Sequence, residues 1–434
     1  MEARQLRLGV QRKGLGDEYV DELFALYKGR VPREADLVAY WFERARALIA
    51  DDRVKRAGLL ATQGIRGGAN RRVLDQIKQT GDIFMAWSDR PWILEGAAVH
   101  VSLLGFDRGA EPTRTLDGAP VQAINPNLTS TLNLTMARRL KENLDLAFMA
   151  DTKGGAFDIS GDVARAMLAA PLNPNGRPNS DVVVPWVNSL DVTRSPRGMS
   201  IIDFGADMPE ADAALYEAPF EYATQHVKPS RIMSRTTRPE WWLHERPRPD
   251  MRRALSSLPR YIATPTVSKH RLFVWITHPT LPDHQLIVIA RTDDYFFGVL
   301  HSKPHELWAL AMGTQLREFE SGFRYTPTTT FETFPFPWPP GTEPAADPRV
   351  ETIARAAREL VDKRDAWLNP PGATAAELEQ RTLTNLYNQR PTWLALAHLE
   401  LDQAVLAAYG WPPNLPDQEI LARLLALNLS RPAV

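Results

Sequence analysis

The residues best placed to do chemistry are arginines. Between Lys228 and Arg271 the chain places eleven basic residues: Lys228, Arg231, Arg235, Arg238, Arg246, Arg248, Arg252, Arg253, Arg260, Lys269 and Arg271. Only three acids, Glu240, Glu245 and Asp250, stand against them. The whole chain of 434 residues carries a net charge of −1, so positive charge is concentrated in this stretch. Trp241, Trp242, Tyr261, Phe273 and Trp275 are interleaved with it. A guanidinium is a planar fork of donors that matches a phosphate or a guanine edge, and aromatic rings stack on bases. A charge run is more usually a solvated face. Here the cations are Arg-rich, broken by proline and not set at helical i,i+4 spacing, which favours a nucleic-acid contact. Arg246, Arg248, Arg252 and Arg253 are the leading phosphate or guanine contacts, with Lys269 and Arg271 next. Trp241 and Trp242 read as core or wedge residues.

Other chemistry is weaker. Gly64, Gly67, Gly68 and Arg66 form a turn whose backbone N–H groups suit a phosphate, although a tight strand-to-helix turn explains them equally. His301 and His305 are four apart, but Pro304 lies between them and there is no cysteine, so they read as structural. Asp283, Asp293 and Asp294 lack the Glu-x-Lys partner of a metal nuclease.

These residues need elements to hold them. Asp17 to Tyr27 reads as a helix, and Glu34 to Ile49 as a second, heavily buried one, with Leu37, Trp41, Ala45 and Leu48 forming one stripe and Val38, Phe42 and Ile49 beside it. Arg56 to Gln63 is a short apolar strand, followed by the glycine turn and a helix from Asn70 to Gln79. Asp82 to Trp87 and Ala97 to Phe106 are strands expected to pair antiparallel. Residues 107–130 are loop-rich. Ser200 to Gly205, Tyr261 to Thr264, Arg271 to Thr277, Gln285 to Ala290 and Tyr295 to Leu300 read as strands of a β-rich domain. Thr326 to Pro340 carries too many prolines for a regular element and reads as an extended belt with packed aromatics. Helices are expected over Arg349 to Leu368, Ala375 to Tyr387, Thr392 to Tyr409 and Gln418 to Asn428. Asn369-Pro370-Pro371-Gly372 reads as an interhelical turn.

Taken in order, these segments resemble the gamma-class adenine-N6 DNA methyltransferases of the Type II L and G restriction–modification and phage-defence kind. ADLVAYWFERARALI resembles the family's fifth motif, RAGLLATQGIRGGANRRVLDQI the sixth, and DIFMAW with AAVHVSLLGF the eighth and the closing hairpin. Arg260 to Phe336 resembles the target-recognition domain. LTNLYNQRPTWL and LDQAVLAAYGW resemble the C-terminal helical segment. The resemblance implies an α/β fold with part of a class I methyltransferase sheet (residues 1–110), a β-rich α+β target-recognition domain (111–340) and a helical segment (341–434). It implies that Phe84 stacks on an adenine flipped out of the duplex, with Trp87 in reserve. Asp36, Leu37 and Phe42 would line the S-adenosylmethionine pocket. The family's Gly-rich cofactor turn and its Asn/Asp-Pro-Pro-aromatic motif are missing from this sequence. The expectation is therefore a truncated or split chain, with a second polypeptide supplying the rest and one flank of the first strand left as an open edge. The rival expectation is a non-catalytic DNA-specificity subunit.

Composition fits a globular protein, with 44% hydrophobic and 24% charged residues. The start MEARQLRLGVQRKG lacks the apolar stretch of a secretory signal. The absence of cysteine excludes disulfides and fits a cytoplasmic protein.

Overall fold

The computed structural model describes residues 15–94, 97–130, 132–232, 239–315 and 322–434. Arg235, Arg238 and the first fourteen residues lie outside them. The chain divides into two compact units, Met1–Ala137 with Gly313–Phe323, and Arg138–Met312 with Arg324–Val434. No helix among the described residues is long and apolar enough to cross a membrane.

In the first unit, helices α1 (Asp17–Leu26) and α2 (Leu37–Ala50) precede strand β1 (Arg56–Thr62), helix α3 (Arg71–Thr80) and strands β2 (Asp82–Leu94) and β3 (Ala97–Asp107). Two short strands follow, β4 (Arg114–Leu116) and β5 (Ala119–Val121). The sheet order is β1-β3-β2-β4-β5. β2 pairs antiparallel with β3, as the hairpin spacing predicts, and β1 pairs antiparallel with the other side of β3. The outer flank of β1 is an edge of the sheet.

Burial divides this sheet by face. Ala61, Ile83, Ala86, Leu104 and Phe106 point into a core shared with Phe42 of α2 and Val73, Leu74 and Ile77 of α3. Gly58, Leu60, Leu103, Phe84 and Trp87 belong to the opposite face and stay out of that core. Leu60 remains 42% exposed there. The buried face of α2 includes Phe42 and Ile49 as expected but not Trp41. Trp41 is 64% exposed, and the inward face is Ala39, Phe42, Glu43 and Ile49. Glu43 is tolerated inside because Arg46 donates two hydrogen bonds to its carboxylate, at 2.7 and 2.8 Å.

The second unit holds two four-stranded sheets. One, built from β6 (Ala147–Met149), β10 (Arg260–Pro265), β11 (Val274–Thr277) and β13 (Leu286–Ile289), runs in the order β11-β10-β13-β6. The other contains β7 (Asp158–Ile159), β8 (Val183–Val187), β9 (Ser200–Ile202) and β12 (Leu281–Pro282).

Tyr295 to Leu300, expected as a strand, lies in helix α4 (Asp294–His301). Asp293 caps it, its carboxylate accepting from the Phe296 N–H at 2.9 Å. Every residue from Tyr295 to His301 is buried, so the run shows no amphipathic period and imitates an interior strand. Gly298 lets the helix Pro348–Leu368 approach, since a Cβ there would meet Ile353 at 2.7 Å.

Thr326–Pro340 opens with a helical turn, Pro327–Phe331, before it extends. Its Phe331, Phe334 and Phe336 are sealed, with Phe336 stacked on Phe296 at 4.5 Å. The long helix Pro348–Leu368 ends at the Asn369–Gly372 turn, where Gly372 takes φ +77. The expected helix 375–387 is broken in two, Ala375–Gln380 and Leu383–Gln389, because Thr382 starts the second by capping Asn385. Thr392–Ala408 and Asp417–Ser430 complete the bundle.

Candidate nucleic-acid interface

Phe84 sits in an irregularity of β2. The register with β3 shifts between Ile83 and Met85, and again between Trp87 and Arg90. A bulge re-aims the side chain at that point. Here the Phe84 ring lies on the face outside the core, half-buried, directly above Gly105. A Cβ on Gly105 would lie 2.8 Å from that ring, so the glycine makes the seat. Gly58 pairs with Gly105 across the strands. The Arg56 guanidinium lies 5.4 Å from the ring centroid. Trp87 is half-buried on the same face, under the Arg90 guanidinium at 3.8 Å.

At the carboxyl end of β1 the helix starts converge. Asn70, which precedes α3, accepts from the Asp36 backbone N–H and donates to the Asp36 carboxylate, both at 2.7 Å. This couples the first residues of α2 and α3. Leu37 is half-buried beside it. Phe42 is fully buried and stacks on Phe106 at 6.0 Å, so its side chain belongs to the core and not to a pocket wall. Arg66 reaches Gln63 at 3.3 Å and Asp89 at 3.4 Å, and Asp89 also holds His100 at 2.6 Å. Gly68 takes φ +57, which the turn into α3 requires.

The basic stretch separates into three fates. Arg252 is internal: its guanidinium binds Asp203 at 2.6 and 3.0 Å and Asp151 at 2.6 Å. Arg271 is buried, donates to Thr264 at 3.0 Å and to the Pro265 carbonyl, and lies over Tyr325. Burial pulls its guanidinium down to about 10. Neither reaches a phosphate without leaving these partners, so the contact role expected of both is corrected. Arg231 is likewise buried, donating to the carbonyls of Lys153, Gly154 and Leu243.

Arg246 and Arg248 are half-buried. Arg248 has φ +52 and donates to the Ala150 carbonyl at 3.3 Å. Burial, and then the neighbouring Arg246, lower its pKa. Arg253 is exposed and pairs with Asp250 at 3.3 Å. Lys269 is exposed and donates to Asn388 at 2.9 Å. Trp241 and Trp242 are packed, their indole N–H groups donating to Glu210 and to the Met208 carbonyl.

The spacing of residues hides one cluster altogether. His244 is buried with Nδ1 2.9 Å from Asp151, close enough for an ion pair though not aligned as a hydrogen bond. Its Nε2 lies 2.9 Å from the Ile202 carbonyl. Burial alone would lower the imidazole pKa, but Asp151 and Asp203 outweigh it and raise it. Asp203 is held below its ordinary value, Arg252 and His244 outweighing its burial. His301 and His305 are internal too, His305 bonded to Tyr325 at 3.0 Å and His301 to Arg364 at 3.0 Å.

No family model matches this sequence. A stretch of 150 residues is 29% identical to DNA methyltransferase A of Bacillus subtilis (strain 168), covering 34% of this chain and 15% of that protein. Among solved structures, the Type IIL restriction–modification enzyme MmeI, determined in complex with DNA, aligns with a TM-score of 0.74 at 18% identity. The alignment covers 95% of this chain. The chain has the MmeI fold. It spans 55% of the MmeI chain. The mixed α/β character expected of the chain is present in this fold. The Type IIG endonuclease BpuSI aligns at a TM-score of 0.27, too low to indicate a common fold.

Proposed function

We propose that this MmeI-like chain is the DNA-reading and base-stacking part of a site-specific adenine-N6 DNA methylation system of the restriction–modification and phage-defence kind, acting in the cytoplasm. The observation that supports this most is Phe84, an aromatic ring turned out of the core on a glycine seat where the eighth motif puts the base-stacking residue. A base extruded from duplex DNA loses its stacking partners, and a ring at that position replaces one of them. Trp87 on the same face is the reserve. Arg246, Arg248, Arg253, Lys269 and Arg66 are the proposed DNA contacts.

S-adenosylmethionine, when bound, supplies the methyl group. The residues present make only part of a pocket for it. Asp36 is already bonded to Asn70, Leu37 offers one apolar wall and Phe42 is in the core. No Gly-rich cofactor turn or Asn/Asp-Pro-Pro-aromatic motif occurs in the sequence. We therefore assign donor binding largely to a further polypeptide segment, on this or a second chain. The open flank of β1, with apolar Leu60 exposed beside it, is a place where a strand can join.

Titration of a fluorescent duplex with the full chain tests the DNA reading. Binding that weakens steeply with salt is expected, and its absence would remove the reading. A second reading, a non-catalytic specificity subunit, is favoured by the same incomplete pocket. Methyl-transfer assays on the chain with its co-purifying proteins separate the two.

A further inference from the structure

We propose that Lys269, His270, Asn388 and Arg390 form a phosphate-gripping surface through which the helical segment contacts the DNA backbone. This rests on the DNA-binding reading above and extends it to Asn388 and Arg390, which lie outside the basic stretch. Two segments far apart in sequence meet here. Lys269 Nζ donates to Asn388 Oδ1 at 2.9 Å, and His270 Nε2 stands 2.9 Å from the same oxygen. An ammonium only donates, so the amide oxygen must face it, and the Asn388 N–H pair faces away. Lys269, Asn388 and Arg390 are all exposed.

Arg390 supplies the independent observation. It closes helix Leu383–Gln389 at φ +42, ψ +62, the left-handed conformation. Helices that end this way ordinarily place glycine or asparagine there, because a Cβ is crowded in that backbone state. Pro391 follows and restricts the position further. Arg390 makes no ion pair among the described residues that would explain keeping an arginine in a glycine's place. Backbone strain retained at one residue points to a use for its side chain. Ammonium, amide N–H and guanidinium are all donors, and phosphate oxygens are all acceptors. Glu306 feels both Arg390 and His270, Asp402 also feels Arg390, and burial raises the pKa of both acids. The surface lies in the same compact unit as Arg246 and Arg248, which suits one backbone-tracking partner over a separate ligand.

The experiment measures affinity of the full chain for a short mixed-sequence duplex across a sodium chloride series, with melting temperature alongside. Arg390→Gly and Arg390→Asn both accept the left-handed backbone. They should melt at or above the parent temperature, bind roughly three- to tenfold more weakly and reduce the log–log salt slope by about 0.9. Arg390→Lys should keep the slope, and Asn388→Ala should weaken binding. Parent-like affinity and slope in both the Gly and Asn variants would overturn the proposal, as would their unfolding, since either result removes the argument from strain. A parent chain that binds no DNA fails the functional reading itself. Binding that responds to Arg246→Ala but not to the Arg390 variants fails this proposal alone.

Discussion

At the scale of single residues, Phe84 and its seat make the sharpest demands. The half-buried ring lies outside the core cluster, so Phe84→Ala should lower the melting temperature by less than truncation of a core ring such as Phe106. It should weaken capture of an extruded adenine by roughly 1–3 kcal/mol, read as lower methyl transfer, while Phe84→Trp keeps most of it. Gly105→Ala puts a methyl group 2.8 Å from the ring and must displace it. It should therefore lower methyl transfer as Phe84→Ala does, and the double variant should be no worse than either alone. A clearly additive loss would show that Gly105 acts elsewhere. Motif order is what singles out Phe84 for the proposed stacking role, at a strand end. The glycine seat is not legible, because it depends on a register shift in a strand pair. Arg252 and Arg271 mislead for the opposite reason. Charge density shows in the sequence, but Asp151 and Asp203, which consume Arg252, lie 101 and 49 residues away.

At the scale of elements, the buried group Asp151–His244–Arg252–Asp203 ties the helix after Arg248 to strands of both sheets' neighbourhood in the second unit. Removing one partner of a buried ion pair strands the others, so Arg252→Met should cost about 3–5 kcal/mol in chemical denaturation. The pH dependence has two limbs. His244 is raised in the folded state, so it takes up a proton on folding. Its contribution is complete below about pH 6.5 and is lost as pH rises through the folded value. Asp203 is lowered, so its contribution is present above about pH 4 and is lost as pH falls through the folded value. Denaturation midpoints across pH should lose both limbs in a His244→Gln, Asp203→Asn variant. Retention of both in the variant would place the titrating groups elsewhere. Most helices and strands here are legible from apolar period and caps. Helix Asp294–His301 is not, because an element buried on every side has no polar face to reveal its period.

At the scale of the whole molecule, the chain carries the MmeI fold over 95% of its length while spanning 55% of that protein. The motif order shows this likeness at a sequence identity of only 18%. What stays illegible is the division into units, since the helical segment after Gly341 packs into one body with the β-rich part. The account holds that DNA is read here and that the methyl donor is held mostly by other protein. Calorimetric titration of the chain alone with S-adenosylmethionine should accordingly show little or no heat, and tight binding would contradict the incomplete pocket. The central claim is tested most directly by transfer of labelled methyl groups from S-adenosylmethionine to unmethylated genomic DNA, using the full chain together with the polypeptide encoded beside it. Label at adenine N6 that needs both proteins and falls sharply with Phe84→Ala is the predicted result. Equal labelling with Phe84→Ala, or label on cytosine, would contradict the account.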